Sequence, residues 1–247
     1  MSLDRELERE RYDARAKNST ELSPVGAGGV PLAFRAPYIA FDHAVGRCLK
    51  VGGRVLEIGA GTGEFTGTAL GAGAEVWATD ISKFSLARLR QRHGPTERLA
   101  TCVADMENLP FPRLSFDVVA SAGALSYGDN DRVRDEIFRV LKPGGAFVCV
   151  DSLNHNPIYR VNRWWHFRRG RRSQSTLRRM PTVALIDSYA TRFGHAEVEF
   201  FGSVTWLAPM IVRLLGETMA ATLSDRIDRA VSVRRSAFKF VMVVRKT

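Results

Sequence analysis

The residues of greatest chemical interest lie in one stretch, residues 55–82, which reads VLEIGAGTGEFTGTALGAGAEVWATDIS. A short apolar run leads into GAGTG, where glycines let the backbone turn tightly and approach a ligand closely. Asp80 ends the next apolar run, about twenty residues on, where a carboxylate is suited to accept hydrogen bonds from ribose hydroxyls. The spacing therefore indicates a site for an adenosine-containing cofactor.

The surrounding sequence indicates the elements that would position this site. Apolar runs rich in β-formers alternate with helical segments, and the predicted strands are residues 53–59, 74–80, 97–105, 115–125 and 146–152. Ser82 is the expected N-cap of one helix, and a helix over residues 130–141 should end at the KPGG turn. This alternation predicts a doubly wound α/β fold with a parallel sheet buried on both faces. Gly59, Gly61 and Gly63 then stand at the carboxyl end of the first strand, where open α/β sheets bind ligands.

Two kinds of adenosine cofactor compete for this pattern, a nicotinamide or flavin dinucleotide and S-adenosylmethionine. The dinucleotide fingerprint requires glycine or alanine at its sixth position, where this chain has Glu64. A carboxylate there would repel a pyrophosphate, and the loop contains no basic residue to offset it. S-adenosylmethionine has no phosphate and carries cationic groups, which a nearby acid such as Glu57 would attract. Asp105 closes the third strand, where it could hold an adenine amino group. The acids therefore favour S-adenosylmethionine.

Four segments together resemble the class I S-adenosylmethionine-dependent methyltransferases, especially the small-molecule branch that includes ubiquinone-type methyltransferases. They are VLEIGAGTG, ATDIS, VADMENLPFPRLSFDVVAS and EIFRVLKPGGAFV, which follow the family's order within residues 53–151. The resemblance implies a seven-stranded, mostly parallel, Rossmann-like sheet that finishes with an antiparallel pair. Residues 196–204 and 237–245 are the candidates for that pair. The implied activity is methyl transfer from S-adenosyl-L-methionine.

The same resemblance assigns the cofactor-binding positions one by one. Together with Glu57, the candidates are Tyr12, Gly59, Ala60, Gly61, Gly63, Asp80, Ile81, Asp105, Met106, Ser121 and Ala122. The glycine turn would line the methionine and ribose moieties, which Ser121 and Ala122 would border from the fourth strand. Asp80 would accept the ribose hydroxyls, and Ile81, Asp105 and Met106 would surround adenine. Tyr12, in YDARA, matches an N-terminal tyrosine that closes over the cofactor.

Catalysis in this family chiefly requires alignment of the nucleophile, the methyl group and the sulfur, and such positioning contributes about 7–11 kcal/mol. A hydroxyl acceptor, which we favour, would also need a base. Many relatives carry a histidine-rich turn after the fourth strand, whereas this chain has GALSYGDND. The candidate catalytic residues are therefore His155, His166, Asp129 and Tyr127, with His155 preferred because it follows the fifth strand closely.

The chain is expected to form a single methyltransferase domain over residues 1–247. Residues 1–50 should supply N-terminal helices and residues 51–151 the cofactor-binding core. Two insertions, residues 152–195 and 205–236, follow or join strands where this fold usually builds its substrate cap. Helical caps that choose the substrate are therefore expected there.

The distribution of charge points to an anionic acceptor. The net charge is +10, and residues 152–186 contain eight arginines and no acid. These are Arg160, Arg163, Arg168, Arg169, Arg171, Arg172, Arg178 and Arg179. Arginine suits forked recognition of phosphate or carboxylate, and the interleaved aromatics in RWWHF suit an anionic membrane surface. We expect a small or lipid-linked anionic acceptor and a basic rim over the carboxyl edge of the sheet.

Several function classes are set aside or left open by the sequence. No apolar run is long enough to span a membrane, the N-terminus lacks a secretory signal, and the three cysteines show no metal-binding spacing. We therefore expect a cytoplasmic protein without a metal, in peripheral contact with the inner face of the membrane. An RNA methyltransferase is the less favoured alternative, followed by a cofactor-binding protein without catalysis. The acceptor atom and the oligomeric state stay open.

Overall fold

The computed structural model describes residues 3–18, 26–168, 174–202, 208–230, 234 and 236–247. Its helices are α1 (Leu3–Asn18), α2 (Ala36–Cys48), α3 (Thr66–Gly71), α4 (Lys83–His93), α5 (Asn130–Val140), α6 (Pro157–Arg168), α7 (Gln174–Arg178), α8 (Val183–Phe193) and α9 (Ala208–Ala230). Its strands are β1 (Arg54–Ile58), β2 (Glu75–Asp80), β3 (Leu99–Val103), β4 (Phe116–Ala122), β5 (Leu141–Ser152), β6 (Gly194–Phe201) and β7 (Lys239–Lys246). Short 3-10 helices cover Gly26–Gly29, Leu32–Phe34 and Leu125–Tyr127.

The strands form one seven-stranded sheet in the order β3-β2-β1-β4-β5-β7-β6. Strands β1 to β5 pair in parallel, and β7 is antiparallel to both β5 and β6. The predicted doubly wound α/β fold with a mostly parallel sheet is confirmed. The strand order reverses between β1 and β4, and such a reversal is where open sheets of this kind bind ligands.

Helices cover both faces of the sheet. Successive side chains of each strand point to opposite faces, so each strand contributes side chains to both layers. On one face, Leu56 and Ile58 of β1 pack with apolar residues of α5 and α8. On the other, Val55 packs with Phe41 and Val45 of α2. Glu57 lies on the same face as Val55, directed towards α3, where its carboxylate meets Thr66. The alternation along β1 thus buries a carboxylate beside the switch point.

The predicted helix boundaries follow local chemistry. Ser82 is the N-cap of α4, as predicted, and its side chain accepts a hydrogen bond from Ser85 N–H. Helix α5 buries Val133, Ile137 and Val140, whose spacing of three and four residues defines one apolar stripe against the sheet.

The first predicted insertion, residues 152–195, divides into two parts with different roles. Its last helix, α8, packs Ile186, Tyr189 and Phe193 into the core under the sheet, and β6 begins at Gly194. Residues 183–195 therefore belong to the sheet layers, because their apolar stripe is buried there. In the described part of this insertion, α6 and α7 are the helices that stay available to act as a cap.

The second predicted insertion contains a single described helix, α9, which is kinked at Gly216 and lies against the 3-10 helix Leu32–Phe34. Among the described helices, this one included, none is both long enough and apolar enough to cross a membrane.

Candidate functional site

A cavity of about 290 Å³ lies at the carboxyl ends of β1, β2 and β4, above the switch point of the sheet. Most of the predicted cofactor positions line it, namely Tyr12, Glu57, Gly59, Ala60, Gly61, Asp80, Ile81, Asp105, Met106 and Ala122. Asp105 and Met106 follow the end of β3, so the structure gathers residues from the ends of β1, β2, β3 and β4 and from the N-terminal helix around one space.

Two predicted positions, Gly63 and Ser121, do not line the cavity. Gly63 is buried under α4, where an added Cβ would lie 2.7 Å from Leu89 Cγ. This glycine therefore lets α4 pack close to the turn. Ser121 is fully buried within β4. Both residues therefore lie behind the residues that line the cavity and would not contact a bound ligand.

The glycine turn after β1 is held by β2. Ala60 N–H donates to Thr79 O at 2.9 Å, and Gly61 N–H donates to Asp80 Oδ2 at 2.9 Å. Gly59 adopts φ of +64°, and an added Cβ would lie only 2.4 Å from Ala124 Cβ. Both the conformation and the close approach require glycine at position 59.

Asp80 is fixed by backbone donors on both sides. Its Oδ2 receives the Gly61 bond, and its Oδ1 accepts from Ser82 N–H at 2.8 Å. Burial raises the pKa of this carboxyl, and the Ser82 and Gly61 N–H groups partly offset the rise. Each oxygen has a further lone pair, so the carboxylate can still accept hydroxyl donors from the cavity.

Glu57 is the most perturbed acid of the site. It is buried, it borders the cavity, and its Oε2 accepts from Thr66 Oγ1 at 2.6 Å. Burial raises its pKa from an ordinary 4.5 to about 7, and the Thr66 bond opposes this rise. The carboxylates of Glu64 and Asp80 raise the pKa further. A cation in the cavity would favour the ionised form.

The cavity as a whole is acidic. Its lining includes the carboxylates of Glu8, Glu57, Glu64, Asp80 and Asp105, and none of the described lining residues is basic. Such a lining attracts sulfonium and ammonium groups and repels phosphates. This electrostatic character is the observation that separates S-adenosylmethionine from a dinucleotide.

Glu64 has a partner that the sequence did not reveal. Arg92 of α4 lies behind the turn, with Nη2 4.0 Å from Glu64 Oε1 and Nε donating to Thr62 O at 2.7 Å. The glycine loop itself contains no basic residue, as expected from the sequence. The charge of Glu64 is instead partly offset by Arg92, which is distant in sequence. Even so, Arg92 does not line the cavity, whose lining keeps its acids.

Helix α1 closes one side of the cavity. The Tyr12 ring packs edge-on against Tyr127, with centroids 5.4 Å apart, and both residues line the cavity. Glu8, which the sequence analysis did not single out, accepts from Thr176 Oγ1 of α7 at 3.0 Å. The polar, charged sequence of α1 gave no signal for Glu8, because its role depends on α7 lying opposite.

The three predicted catalytic candidates whose side chains are described, Tyr127, Asp129 and His155, are not brought together. Tyr127 lines the cavity, whereas Asp129 caps α5 by accepting from Asp131 and Arg132 N–H. His155 is not part of the lining, since its Nε2 accepts from Val183 N–H at 2.9 Å and so supports the start of α8. His166 lies in α6, and its side chain is outside the described residues. Of the three candidates whose side chains are described, Tyr127 is the one that lines the cavity.

The predicted arginine rim is also divided. Arg163 is buried and donates to Leu153 O at 2.9 Å, so it anchors α6 to the end of β5 rather than forming a rim. Arg160, Arg168 and Arg178 are exposed. Arg169, Arg171 and Arg172 lie outside the described residues.

The position of His155 leads to a prediction. Changing His155 to Ala should lower the free energy of unfolding by about 1 kcal/mol, because Val183 N–H loses its acceptor. Turnover should stay near that of the parent, instead of falling by about 10²–10⁴ as expected for a general base. Thr182→Ala, which removes the neighbouring N-cap of α8, is the matched control and should behave alike in denaturant melts and assays. A turnover loss confined to the His155 variant would restore His155 as the base.

The pKa of Glu57 leads to a second prediction. Because the folded pKa of about 7 lies above the ordinary 4.5, the contribution of Glu57 to stability is fully present below pH 4.5. It is lost as the pH rises through about 7, by about 3 kcal/mol in the ligand-free protein. Glu57→Gln keeps the shape and should remove this part of the pH dependence, which denaturant titrations of both proteins would measure. If the free energy of unfolding depends on pH identically in parent and variant, the raised pKa of Glu57 is contradicted.

Comparison with known proteins agrees with this geometry. A family model described as "Methyltransferase domain" matches residues 56–149, from β1 into β5. Among curated proteins, the chain is 36% identical over 130 residues to the ubiquinone/menaquinone biosynthesis C-methyltransferase of Bordetella parapertussis, covering 50% of each chain. It is 33% identical over 155 residues to the enzyme of the same name from Neisseria meningitidis, covering 60% of this chain and 61% of that one. The match thus spans about half to three fifths of the relatives' own length.

Solved structures extend the likeness beyond the matched segment. A phosphoethanolamine N-methyltransferase of Haemonchus contortus, in complex with S-adenosyl-L-methionine, aligns with 100% of this chain and 61% of its own. The TM-score is 0.65 and the sequence identity 19%, so the likeness is one of fold.

Proposed function

We propose that this chain, which belongs to the class I S-adenosylmethionine-dependent methyltransferases, transfers a methyl group to a small or lipid-linked acceptor. The observation that carries the proposal is the acidic cavity at the switch point, with five carboxylates and no described basic residue in its lining. Such a cavity suits a cationic methyl donor and disfavours a dinucleotide.

The residues present fit S-adenosylmethionine, which supplies a methyl group activated by its sulfonium. Asp80 would accept the ribose hydroxyls, with its carboxylate already oriented by Gly61 and Ser82 N–H. Glu57 and Glu64 offer negative charge beside the glycine turn for the cationic groups. Ile81 would pack on adenine. Together these residues would hold the cofactor before the acceptor arrives.

Asp105 and Met106, which follow β3, complete this arrangement at the adenine edge. Asp105 Oδ1 accepts from Glu107 N–H at 3.0 Å, and this bond orients the side chain towards the cavity rim. Ala122 and Gly123, at the end of β4, line the cavity with small residues, and we place the acceptor on their side. The acceptor would approach from that side.

Tyr127 and Tyr12 are the residues that would contact the acceptor. Their edge-on contact places two aromatic rings at the cavity, and the Tyr127 hydroxyl can donate or accept a hydrogen bond. Rings of this kind suit a flat, aromatic or quinone-type acceptor. Glu8, joined to Thr176, would close the cavity above it.

The acceptor that we propose is a lipid-linked molecule with an ionisable ring hydroxyl, such as a quinone precursor. Its ionised form is anionic and carries electron density on oxygen and on the adjacent ring carbons. The names of the relatives favour methylation at carbon. Oxygen was favoured from the sequence with His155 as the preferred base, but His155 does not line the cavity and accepts from Val183 N–H. We therefore propose carbon first and oxygen second, with the protein working in peripheral contact with an anionic membrane.

The proposal is tested by incubating the protein with methyl-labelled S-adenosylmethionine and separate lipid, glycan and RNA extracts. Label is expected in the lipid extract, and mass spectrometry with NMR of the product should place the methyl group on a ring carbon. Label only in RNA would favour the alternative of an RNA methyltransferase. Cofactor binding without transfer to any extract would favour a binding protein without catalysis.

A further inference from the structure

Helix α6 presents four of its described apolar side chains outwards. Ile158, Val161, Trp164 and Trp165, which we term the α6 outer face, are 44%, 65%, 48% and 51% exposed. Two tryptophans and two β-branched residues on one short helix form an exposed apolar patch of a kind that marks interaction sites.

The outward direction of this face is fixed by polar contacts on the other side of the helix. Tyr159 is buried and donates from its hydroxyl to Gly202 O at 3.0 Å, while its ring packs on Phe238 with centroids 4.6 Å apart. Arg163, one turn later, is buried and donates to Leu153 O at 2.9 Å. Because both anchors are specific, α6 cannot rotate to bury its tryptophans without losing them.

Two exposed arginines accompany the α6 outer face. Arg160 and Arg168 are exposed on the same helix, and the Arg168 guanidinium lies over the Trp164 ring at 4.8 Å from its centroid. Residues 152–186 contain no acid to neutralise them. The patch therefore combines tryptophan with arginine, the pair of side chains suited to the boundary between lipid headgroups and acyl chains.

We propose that the α6 outer face docks the protein on the surface of an anionic phospholipid bilayer. Apolar contact would bury the tryptophans at the acyl boundary, and the arginines would pair with lipid phosphates. A second copy of this chain is a poorer occupant, because a two-fold contact would set the same arginines against one another without an acid in the segment. The charge of the patch thus favours an anionic lipid surface.

The location of the α6 outer face relates membrane docking to the proposed function. The biological purpose of docking rests on that proposed function. Helix α6 begins five residues after β5 ends at Ser152, on the edge of the sheet that holds the cavity. A bilayer on the α6 outer face would therefore lie on the side from which a lipid-linked acceptor must come. Docking itself can be measured without methyl transfer.

The test is co-sedimentation of the purified protein with vesicles of phosphatidylcholine, alone or mixed with phosphatidylglycerol. The parent should bind the mixed vesicles and release at high salt. Val161→Ala with Trp164→Ala should weaken binding at least about tenfold, since apolar area is lost. Arg160→Gln with Arg168→Gln should weaken it about 25-fold, or about fivefold per charge. Leu214→Ala with Met219→Ala, on the exposed side of α9, is the matched apolar control and should bind like the parent.

Circular dichroism and S-adenosylhomocysteine titration establish that each variant is folded. Equal weakening by the α9 control, or binding that ignores phosphatidylglycerol, would overturn the proposal. Binding to RNA that depends on Trp164, without binding to vesicles, would also overturn it. A parent protein that transfers methyl groups to a soluble acceptor but does not bind either kind of vesicle would refute the membrane surface alone. A parent protein that binds the mixed vesicles but transfers no methyl group would refute only the proposed reaction.

Discussion

Asp80→Ala is expected to weaken S-adenosylhomocysteine binding by about 10- to 150-fold, which corresponds to about 1.5–3 kcal/mol for a hydrogen bond to an ionised acceptor. Asp80 ends β2 at the cavity and would accept the ribose hydroxyls. Its removal also frees Gly61 and Ser82 N–H, so the glycine turn loses one of its anchors. Isothermal titration calorimetry measures the change directly.

Asp129→Ala is the matched control for this experiment. Asp129 is an acid of the same type that caps α5 and is not among the residues lining the cavity. Its loss should reduce stability by about 1 kcal/mol and leave cofactor affinity unchanged. Equal affinity losses in the two variants would mean that general destabilisation, rather than the ribose contact, explains the Asp80 result.

Gly59→Ala is expected to be the most damaging small substitution in the core of the site. A Cβ at this position would meet Ala124 Cβ at 2.4 Å, and φ of +64° is unfavourable for alanine. The two costs, about 1–2 kcal/mol for the conformation and about 1–3 kcal/mol for the overlap, should lower stability by roughly 2–5 kcal/mol. Denaturant unfolding measures this loss, and S-adenosylhomocysteine titration should show weaker binding.

Gly61→Ala separates the two costs. Gly61 also has a positive φ, of +55°, but the nearest atom to an added Cβ is Glu64 Oε2 at 3.8 Å. This variant should lose only about 1–2 kcal/mol. Adding Ala124→Gly to the Gly59 variant should recover the overlap term. If Ala124→Gly does not restore stability, and the Gly59 and Gly61 variants lose equal stability, then overlap with Ala124 does not contribute to the cost.

Most of the cavity lining was predictable from sequence because its positions follow strand ends. Asp80 and the glycine turn are each tied to the end of an apolar run, and parallel strands bring such ends to one edge of the sheet. The same logic placed Ser82 at the start of α4. Local sequence and sheet topology thus determine most of the lining.

The remainder depends on contacts between distant segments, which spacing does not reveal. Arg92 reaches Glu64 because α4 folds back over the turn, and Glu8 meets Thr176 because α1 lies against α7. His155 follows a strand end, as expected of a catalytic residue, yet its ring accepts a hydrogen bond from the backbone N–H of Val183 at the start of α8. An arginine count likewise cannot distinguish the buried anchor Arg163 from an exposed rim.

The central claim is that the acidic cavity holds S-adenosylmethionine rather than a dinucleotide. Its most direct test is calorimetric titration of the unmodified protein with S-adenosylhomocysteine and, separately, with NAD and FAD. We expect S-adenosylhomocysteine to bind at one site per chain, more tightly as the pH rises through about 7 because Glu57 ionises, and neither dinucleotide to bind. Binding of NAD or FAD that depends on Asp80, together with no binding of S-adenosylhomocysteine, would contradict it.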